Sequence, residues 1–237
     1  MKLLSKKIKN GFISLFFPEP CAHCGRYIKD FSAECLCSGC FETIKKPSGR
    51  LCLVCLKPVK PGAGGECREC AEYEKNFEMI AAGGAYEGAL KELIHRMKFY
   101  GRKNGAKTAA EIMSAAAGAE FFAWPDAITC VPLSRGSLKE RGYNQSEAAA
   151  RILSKKYGVP FVRLIEKIKE TEPQNKLERK ERIKNLKGAF RASGCEGLNI
   201  LVVDDVYTTG ATMNETAKAL LDAKAAKVRG IVVGRAL

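Results

Sequence analysis

The segment with the densest chemical content is Leu201-Val202-Val203-Asp204-Asp205-Val206-Tyr207-Thr208-Thr209-Gly210-Ala211-Thr212. An apolar strand ends there in two carboxylates, which places them outside the carboxyl edge of a sheet, where α/β proteins bind ligands. The following residues are rich in hydroxyls and small side chains. Thr212-x-x-Glu215 has the spacing of a capping box, so a helix is predicted to start at Thr212. Backbone N–H groups and threonine hydroxyls that end at a helix N-terminus make a cradle for phosphate, and Gly210 permits the close approach. Asp204 and Asp205 would repel phosphate itself, but they suit the vicinal hydroxyls of a sugar or the positioning of Mg²⁺. A sugar phosphate is the ligand this string fits. Asp, Thr and Gly also occur in ordinary strand-to-helix turns; any one residue alone would be read that way, but the whole string would not. Walker-type nucleotide binding is disfavoured, because no GxxxxGK(S/T) follows any strand.

The second chemical feature is sulfur. Nine of the eleven cysteines lie between Cys21 and Cys70. Eight of them form four CxxC turns: Cys21 with Cys24, Cys37 with Cys40, Cys52 with Cys55, and Cys67 with Cys70. Each turn can aim two thiolates at one ion, and two turns complete a tetrahedron, so two structural zinc sites are expected, paired sequentially by default. An interleaved pairing is compatible with the same spacing. Four thiolates leave no open position for water or substrate, which argues against catalysis at the metal. Thioredoxin-like chemistry is disfavoured, since no CxxC sits at a strand-to-helix junction of an α/β unit. Cys35 is left over, either as a small buried residue or as a rival to Cys37. Cys130 and Cys195 read as a strand residue and a turn residue.

The elements that must hold these groups follow from periodicity. Residues 1–20 read as a short amphipathic segment, 21–75 as a double zinc ribbon, and 76–237 as one α/β domain. In that domain, strands are predicted at Met79–Tyr86, Ala127–Val131, Asn199–Val203 and Val228–Val233. Helices are predicted at Gly88–Lys98, through an alanine-rich stretch ending near Phe122, at Asn144–Tyr157 and at Thr212–Ala223. Alternating strands and helices predict a doubly wound, mainly parallel sheet. The charged stretch between Ile165 and Gly188 is weakly periodic and reads as a long, mobile loop.

A second segment agrees with the first. Val131-Pro132-Leu133-Ser134-Arg135 leaves an apolar strand, and Gly136-Ser137-Leu138-Lys139-Glu140-Arg141-Gly142-Tyr143-Asn144-Gln145 enters a helix. The Asp204–Thr212 string is similar to the phosphoribosyl-diphosphate (PRPP) motif of type I phosphoribosyltransferases. The resemblance implies that Asp204 and Asp205 take the ribose and that Thr208, Thr209, Gly210, Ala211 and Thr212 take the 5′-phosphate. It also implies that Ser134 and Arg135 belong to a pyrophosphate loop, with Arg135 near the leaving group, and that Arg141 and its neighbours shape the pocket. Across its whole length the chain resembles the ComF family, in which a double zinc ribbon precedes a phosphoribosyltransferase domain. Further matching pieces are Tyr86-Glu87-Gly88, the run Leu93 to Phe99, Arg141 to Gln145, Thr171 to Gln174, and Arg179, Arg182, Asn185 and Leu186. The family is linked to natural competence, the uptake of single-stranded DNA. The resemblance therefore implies a PRPP site served by Mg²⁺ and, if the chain catalyses, pyrophosphate displacement at ribose C1.

Composition sets the remaining bounds. With 237 residues, 46% hydrophobic and 28% charged, the chain has material for a real core. No apolar run approaches bilayer-spanning length. The opening MKLLSKKIKNGFISLFFP is basic like a signal peptide, but its apolar part is too short and no small-residue cleavage site follows before Cys21. A docked amphipathic helix and a cytoplasmic location are expected, with peripheral membrane contact as the alternative. The formal charge is +14; two zinc–tetrathiolate sites would lower it to about +10. A polyanionic partner is implied. Lys91, Arg96, Lys98, Arg102, Lys103 and Lys107, with Phe99 and Tyr100 beside them, would suit single-stranded DNA, and equally a lining of the sugar-diphosphate pocket or plain solvated surface. A non-catalytic sensor of PRPP or nucleotides that handles such DNA is the rival to an enzyme, and a scaffold recruiting a competence helicase or uptake machinery is a third reading.

Overall fold

The computed structural model describes residues 20–28, 35–60, 64–99, 104–170 and 179–236. The expected amphipathic segment, most of the basic loop at 100–104 and the Thr171–Gln174 string fall outside them.

The cysteine-rich region folds as two copies of one motif. In each copy the first CxxC forms a tight knuckle. The Gly25 N–H donates to the Cys21 carbonyl at 3.1 Å and the Leu56 N–H to that of Cys52 at 3.0 Å. The closing residue needs a left-handed backbone, which Gly25 adopts easily at φ 74° and Leu56 adopts at φ 59°. Cys21 N–H donates to Arg26 and Cys52 N–H to Lys57, both at 2.8 Å. The second CxxC of each copy opens a one-turn helix, α1 (Ser38–Glu42) and α2 (Arg68–Glu72). Cys35 occupies the place that Gly65 holds in the second copy: Ala22 N–H donates to Cys35 as Leu53 N–H does to Gly65. It is 3% exposed and packs in the core.

The remainder alternates as the sequence predicts. The order is β1 (Ile80–Ala85), α3 (Gly88–Phe99), α4 (Gly105–Ala117), α5 (Glu120–Ala123), β2 (Ala127–Cys130), α6 (Arg135–Arg141) and α7 (Gln145–Tyr157). There follow β3 (Ile165–Lys167), α8 (Arg179–Leu186), β4 (Phe190–Ala192), β5 (Asn199–Tyr207), α9 (Ala211–Asp222) and β6 (Lys227–Arg235). Four strands form a parallel sheet in the order β1-β6-β5-β2, and β3 pairs antiparallel with β4. Successive side chains of β5 face opposite ways. Leu201 and Val203 pack with α3, α4 and α7, whereas Ile200 and Val202 pack with α9 and the β3–β4 ribbon. Burial on both faces accounts for the continuous apolar run. No helix among the described residues is long and apolar enough to cross a membrane.

Three expectations need correction. The alanine-rich helix is two helices, because Gly118 turns left-handed at φ 74°. Strand β5 does not end at Val203 but continues through both aspartates to Tyr207, supported by its ladder with β6. The charged stretch is not a bare loop: β3 opens it, and α8 precedes Gly188.

Strand β1 is a sheet edge, and the cysteine ribbons cover it. Ile80 N–H donates to the Val54 carbonyl at 3.0 Å and Ala85 N–H to the Lys45 carbonyl at 2.8 Å. One ribbon packs into the core on each face, with Cys21, Cys35 and Cys40 in one and Cys52, Cys55, Cys67 and Cys70 in the other. Gly84 marks the closest approach, since a Cβ there would lie 2.5 Å from Ile44 Cγ2 and 3.0 Å from the Lys45 carbonyl. Gly84→Ala should therefore destabilise the metal-loaded protein by about 1–3 kcal/mol in urea unfolding, because the ribbon must move off the edge.

Candidate functional site

Strand β2 stops at Cys130, level with Val203, while β5 and β6 run on together. The last four residues of β5 thus overhang their neighbour, and the chain leaving β2 closes over them, with Val131 N–H donating to Val203 O at 3.0 Å. Asp204 and Asp205 sit in this overhang. Asp205 is 8% exposed and Asp204 half-buried.

Two adjacent, nearly dry carboxylates repel each other and must be compensated. Lys98, at the end of α3, places Nζ 3.0 Å from Asp205 Oδ2. Gln145 Nε2 donates to the same oxygen at 2.8 Å. Ser146 Oγ donates to Asp204 Oδ1 at 3.3 Å, and the Asp205 backbone N–H donates to it at 2.8 Å. Gln145 and Ser146 open α7, so the positive end of that helix also faces the pair. The compensation is unequal. Burial, followed by the charge of Asp205, pushes the Asp204 carboxyl up to about 7. At Asp205 burial acts in the same direction but is outweighed by Lys98 and Gln145, which hold it below the usual carboxylate range. Burial works against the charge of Lys98, yet the two aspartates outweigh it and raise its pKa.

The string from Arg141 to Gln145 is a clamp. Gly142 ends α6 in the left-handed region at φ 72°. The Tyr143 hydroxyl donates to the Met97 carbonyl at 2.7 Å, which ties down the turn that carries Lys98. Asn144 Oδ1 caps α7 through the N–H groups of Ser146 and Glu147, while Nδ2 donates to the Val131 carbonyl at 3.0 Å. Two polar atoms in this clamp are buried without a partner: Arg141 Nε, a donor, and Gln145 Oε1, an acceptor. Buried polar groups are normally satisfied, so an unmet pair beside the carboxylates is the mark of a ligand-sized deficit.

The hydroxyl-rich loop follows β5. Thr208 is exposed and Thr209 half-buried. Gly210 turns the chain at φ 80°, and a Cβ there would strike the Tyr207 hydroxyl. Helix α9 then begins at Ala211, one residue before the predicted start. The capping box does not form: Gly210 is the cap residue and supplies no side chain. Thr209 Oγ1 accepts from Ala211 N–H at 3.3 Å, and Glu215 turns outward to accept from Gly188 N–H at 3.2 Å.

The other candidates are placed less centrally. Ser134 Oγ caps α6 by accepting from Ser137 N–H at 3.2 Å. The Arg135 side chain is exposed, and the Arg135 backbone N–H donates to Glu170 Oε1 at 3.2 Å. Lys98, Gln145 and Ser146 hold the aspartates; the sequence marks Gln145 as part of the pocket-shaping string and Lys98 as one of a basic strip, but does not single out Ser146. Lys98 stood in an apparent basic strip and is turned inward from it. Cys130 and Cys195 are buried, and the Cys195 thiol donates to the Leu220 and Ala223 carbonyls.

The four sulfurs of Cys21, Cys24, Cys37 and Cys40 lie within 4.8 Å of one another, as do those of Cys52, Cys55, Cys67 and Cys70. This is the sequential pairing. Cys24 and Cys37 Sγ are 3.8 Å apart and Cys55 and Cys67 Sγ 3.6 Å apart, close to the edge of about 3.8 Å in a tetrahedron with 2.3 Å metal–sulfur bonds. The Cys37 N–H also donates to Cys21 Sγ at 3.4 Å. Both sets could hold a metal ion.

Residues 138–235, which span the clamp, the aspartates and the hydroxyl loop, match the phosphoribosyl transferase domain. Competence protein F of Haemophilus influenzae is 32% identical over 214 residues, 86% of this chain and 92% of that protein. Competence protein ComFC of Bacillus subtilis is 30% identical over 218 residues, 85% of each chain. DNA utilization protein YhgH of Salmonella typhimurium is 30% identical over 82% of this chain and 87% of that protein. A crystal structure of purine phosphoribosyltransferase from Pyrococcus horikoshii aligns with 60% of this chain and 82% of that one at 17% identity, with a TM-score of 0.30. With relatives this similar over this much of its length, and with a phosphoribosyl transferase domain behind two four-cysteine ribbons, the chain belongs to the ComF family.

Proposed function

We propose that this protein binds PRPP at the overhang of β5 and serves competence-linked DNA handling. The observation that carries the reading is the compensated aspartate pair flanked by one unmet donor and one unmet acceptor. Asp204 and Asp205 accept hydrogen bonds from the ribose hydroxyls. The loop Thr208–Thr212 and the start of α9 hold the 5′-phosphate. Arg141 Nε and the exposed Arg135 receive pyrophosphate oxygens, and Lys98 keeps Asp205 ionised and oriented. Mg²⁺, if Asp204 and Asp205 helped to hold it, would supply neutralising charge for the pyrophosphate. If the chain is an enzyme, its rate comes from this positioning and from fixed charge around the departing pyrophosphate. The link to DNA rests on the names of the relatives, among them competence and DNA utilization proteins. A second reading, a PRPP sensor without turnover, has the same site and differs only in the lack of an acceptor. The ribbons are read as zinc sites of structural kind, in keeping with a cytoplasmic protein that keeps its thiols reduced.

Calorimetry with PRPP and Mg²⁺ tests the ligand. The wild type should bind and the double variant Asp204→Ala/Asp205→Ala should not; a silent wild type would remove the assignment. Metal analysis should return two zinc ions per chain, and chelation should lower the thermal midpoint. The raised carboxyl gives a further test. Folded Asp204 titrates near 7, whereas an unfolded aspartate titrates near 3.9. Its ionisation therefore costs stability increasingly as pH rises from about 4 to about 7, and by a constant amount above that. Asp204→Asn should melt higher than the wild type by a margin that widens across that window, while losing PRPP affinity. A margin independent of pH would place the perturbed group elsewhere.

A further inference from the structure

Arg235 lies where the second cysteine ribbon meets the hydroxyl loop. It ends β6 and is 3% exposed. Its Nε donates to the Cys55 carbonyl at 2.8 Å. Its Nη1 donates to the Thr208 carbonyl at 3.0 Å and the Tyr207 carbonyl at 3.4 Å. The guanidinium lies over the Tyr207 ring, 4.7 Å from its centre. One planar fork thus joins the knuckle of the second ribbon to the first residue of the loop, a geometry that lysine could not reproduce. Two further contacts run the same way. The Asn76 N–H, just past the ribbon, donates to Asn214 Oδ1 on α9 at 2.8 Å. Phe77 packs edge-on against Tyr207 with ring centres 6.2 Å apart.

The Cys55 carbonyl is fixed only while its knuckle is folded, and the knuckle is held by its four sulfurs. If that carbonyl shifts, a buried charged N–H loses its acceptor, which is costly enough to move the guanidinium. The Thr208 carbonyl would then lose this donor, while the Tyr207 carbonyl keeps the Ala236 N–H at 2.9 Å. Among the described residues the first ribbon shows no such route: it packs on the opposite face of the sheet, and Cys24, its equivalent of Cys55, is exposed.

We propose that Arg235 is a positioning residue through which the second four-cysteine cluster, and not the first, sets the Thr208–Thr212 loop and its affinity for phosphate. The link to affinity rests on the PRPP reading above; the link to loop order does not. Binding free energies are reciprocal, so PRPP should tighten metal binding in the second ribbon by the same factor.

The test compares matched variants of the full chain, Cys40→Ala in the first ribbon and Cys70→Ala in the second. Both cysteines are buried and sit at equivalent positions in α1 and α2. Backbone amide exchange over residues 207–214 and PRPP calorimetry are measured on each, together with zinc content. Cys70→Ala should speed exchange in the loop and weaken PRPP binding by about tenfold, with Cys40→Ala within about twofold of wild type. Arg235→Gln should reproduce the Cys70→Ala loop behaviour while retaining both zinc ions, and it keeps the test decisive if Cys70→Ala does not fold. Equal effects from both cysteine variants, or wild-type protection in zinc-loaded Arg235→Gln, would overturn the proposal. A wild type that ignores PRPP would remove the ligand reading alone, since the exchange comparison still decides the coupling.

Discussion

Two carboxylates at consecutive positions of one strand, almost without water, set the terms for everything around them. Left alone, Asp204 and Asp205 could not both be charged. Their tolerance requires a cation at the end of α3, an amide and a hydroxyl in the first turn of α7, and a loop that holds those two helices against the end of β2. Tyr143 and Asn144 provide that hold by fastening the chain to Met97 and to Val131. The site is therefore less a set of ligands than a charge problem solved by four elements at once. That solution is incomplete: Asp204 stays near neutrality and two buried atoms are left unmet.

What the sequence made legible was local. The four CxxC turns and the apolar run of β5 each depend on residues within a few positions. Two four-cysteine clusters and a doubly wound parallel sheet could thus be anticipated, while the choice between sequential and interleaved cysteine pairing needed the fold. Contacts that depend on chain reversal were not legible. Lys98 looked like one more member of a basic strip, and nothing nearby indicated that it would meet Asp205. Gln145 and Ser146 were visible as a helix start but not as partners of a strand many residues further on. Arg235 reaches Cys55 across 180 positions, beyond any periodic signal. The failed capping box shows the opposite error: Thr212 and Glu215 have the right spacing, but Gly210 takes the cap and Gly188 attracts the glutamate.

The two ribbons repeat one backbone pattern but have diverged in their surroundings. Glycine closes the first knuckle; leucine closes the second in the same left-handed conformation. The first leaves Cys24 open to solvent, while all four cysteines of the second are buried. A small metal module cannot build a core of its own, and each copy borrows one from the face of the sheet it covers.

The cover over β1 has a consequence for the order of assembly. As the chain is synthesised the ribbons emerge ahead of β1, whereas β6, the strand's partner in the sheet, comes long after it. Through that interval, among the described residues, Val54 and Lys45 occupy outward N–H groups of the exposed strand. Ribbons folded ahead of the sheet would thus act as a chaperone in cis, shielding a bare edge from other chains until its own sheet arrives.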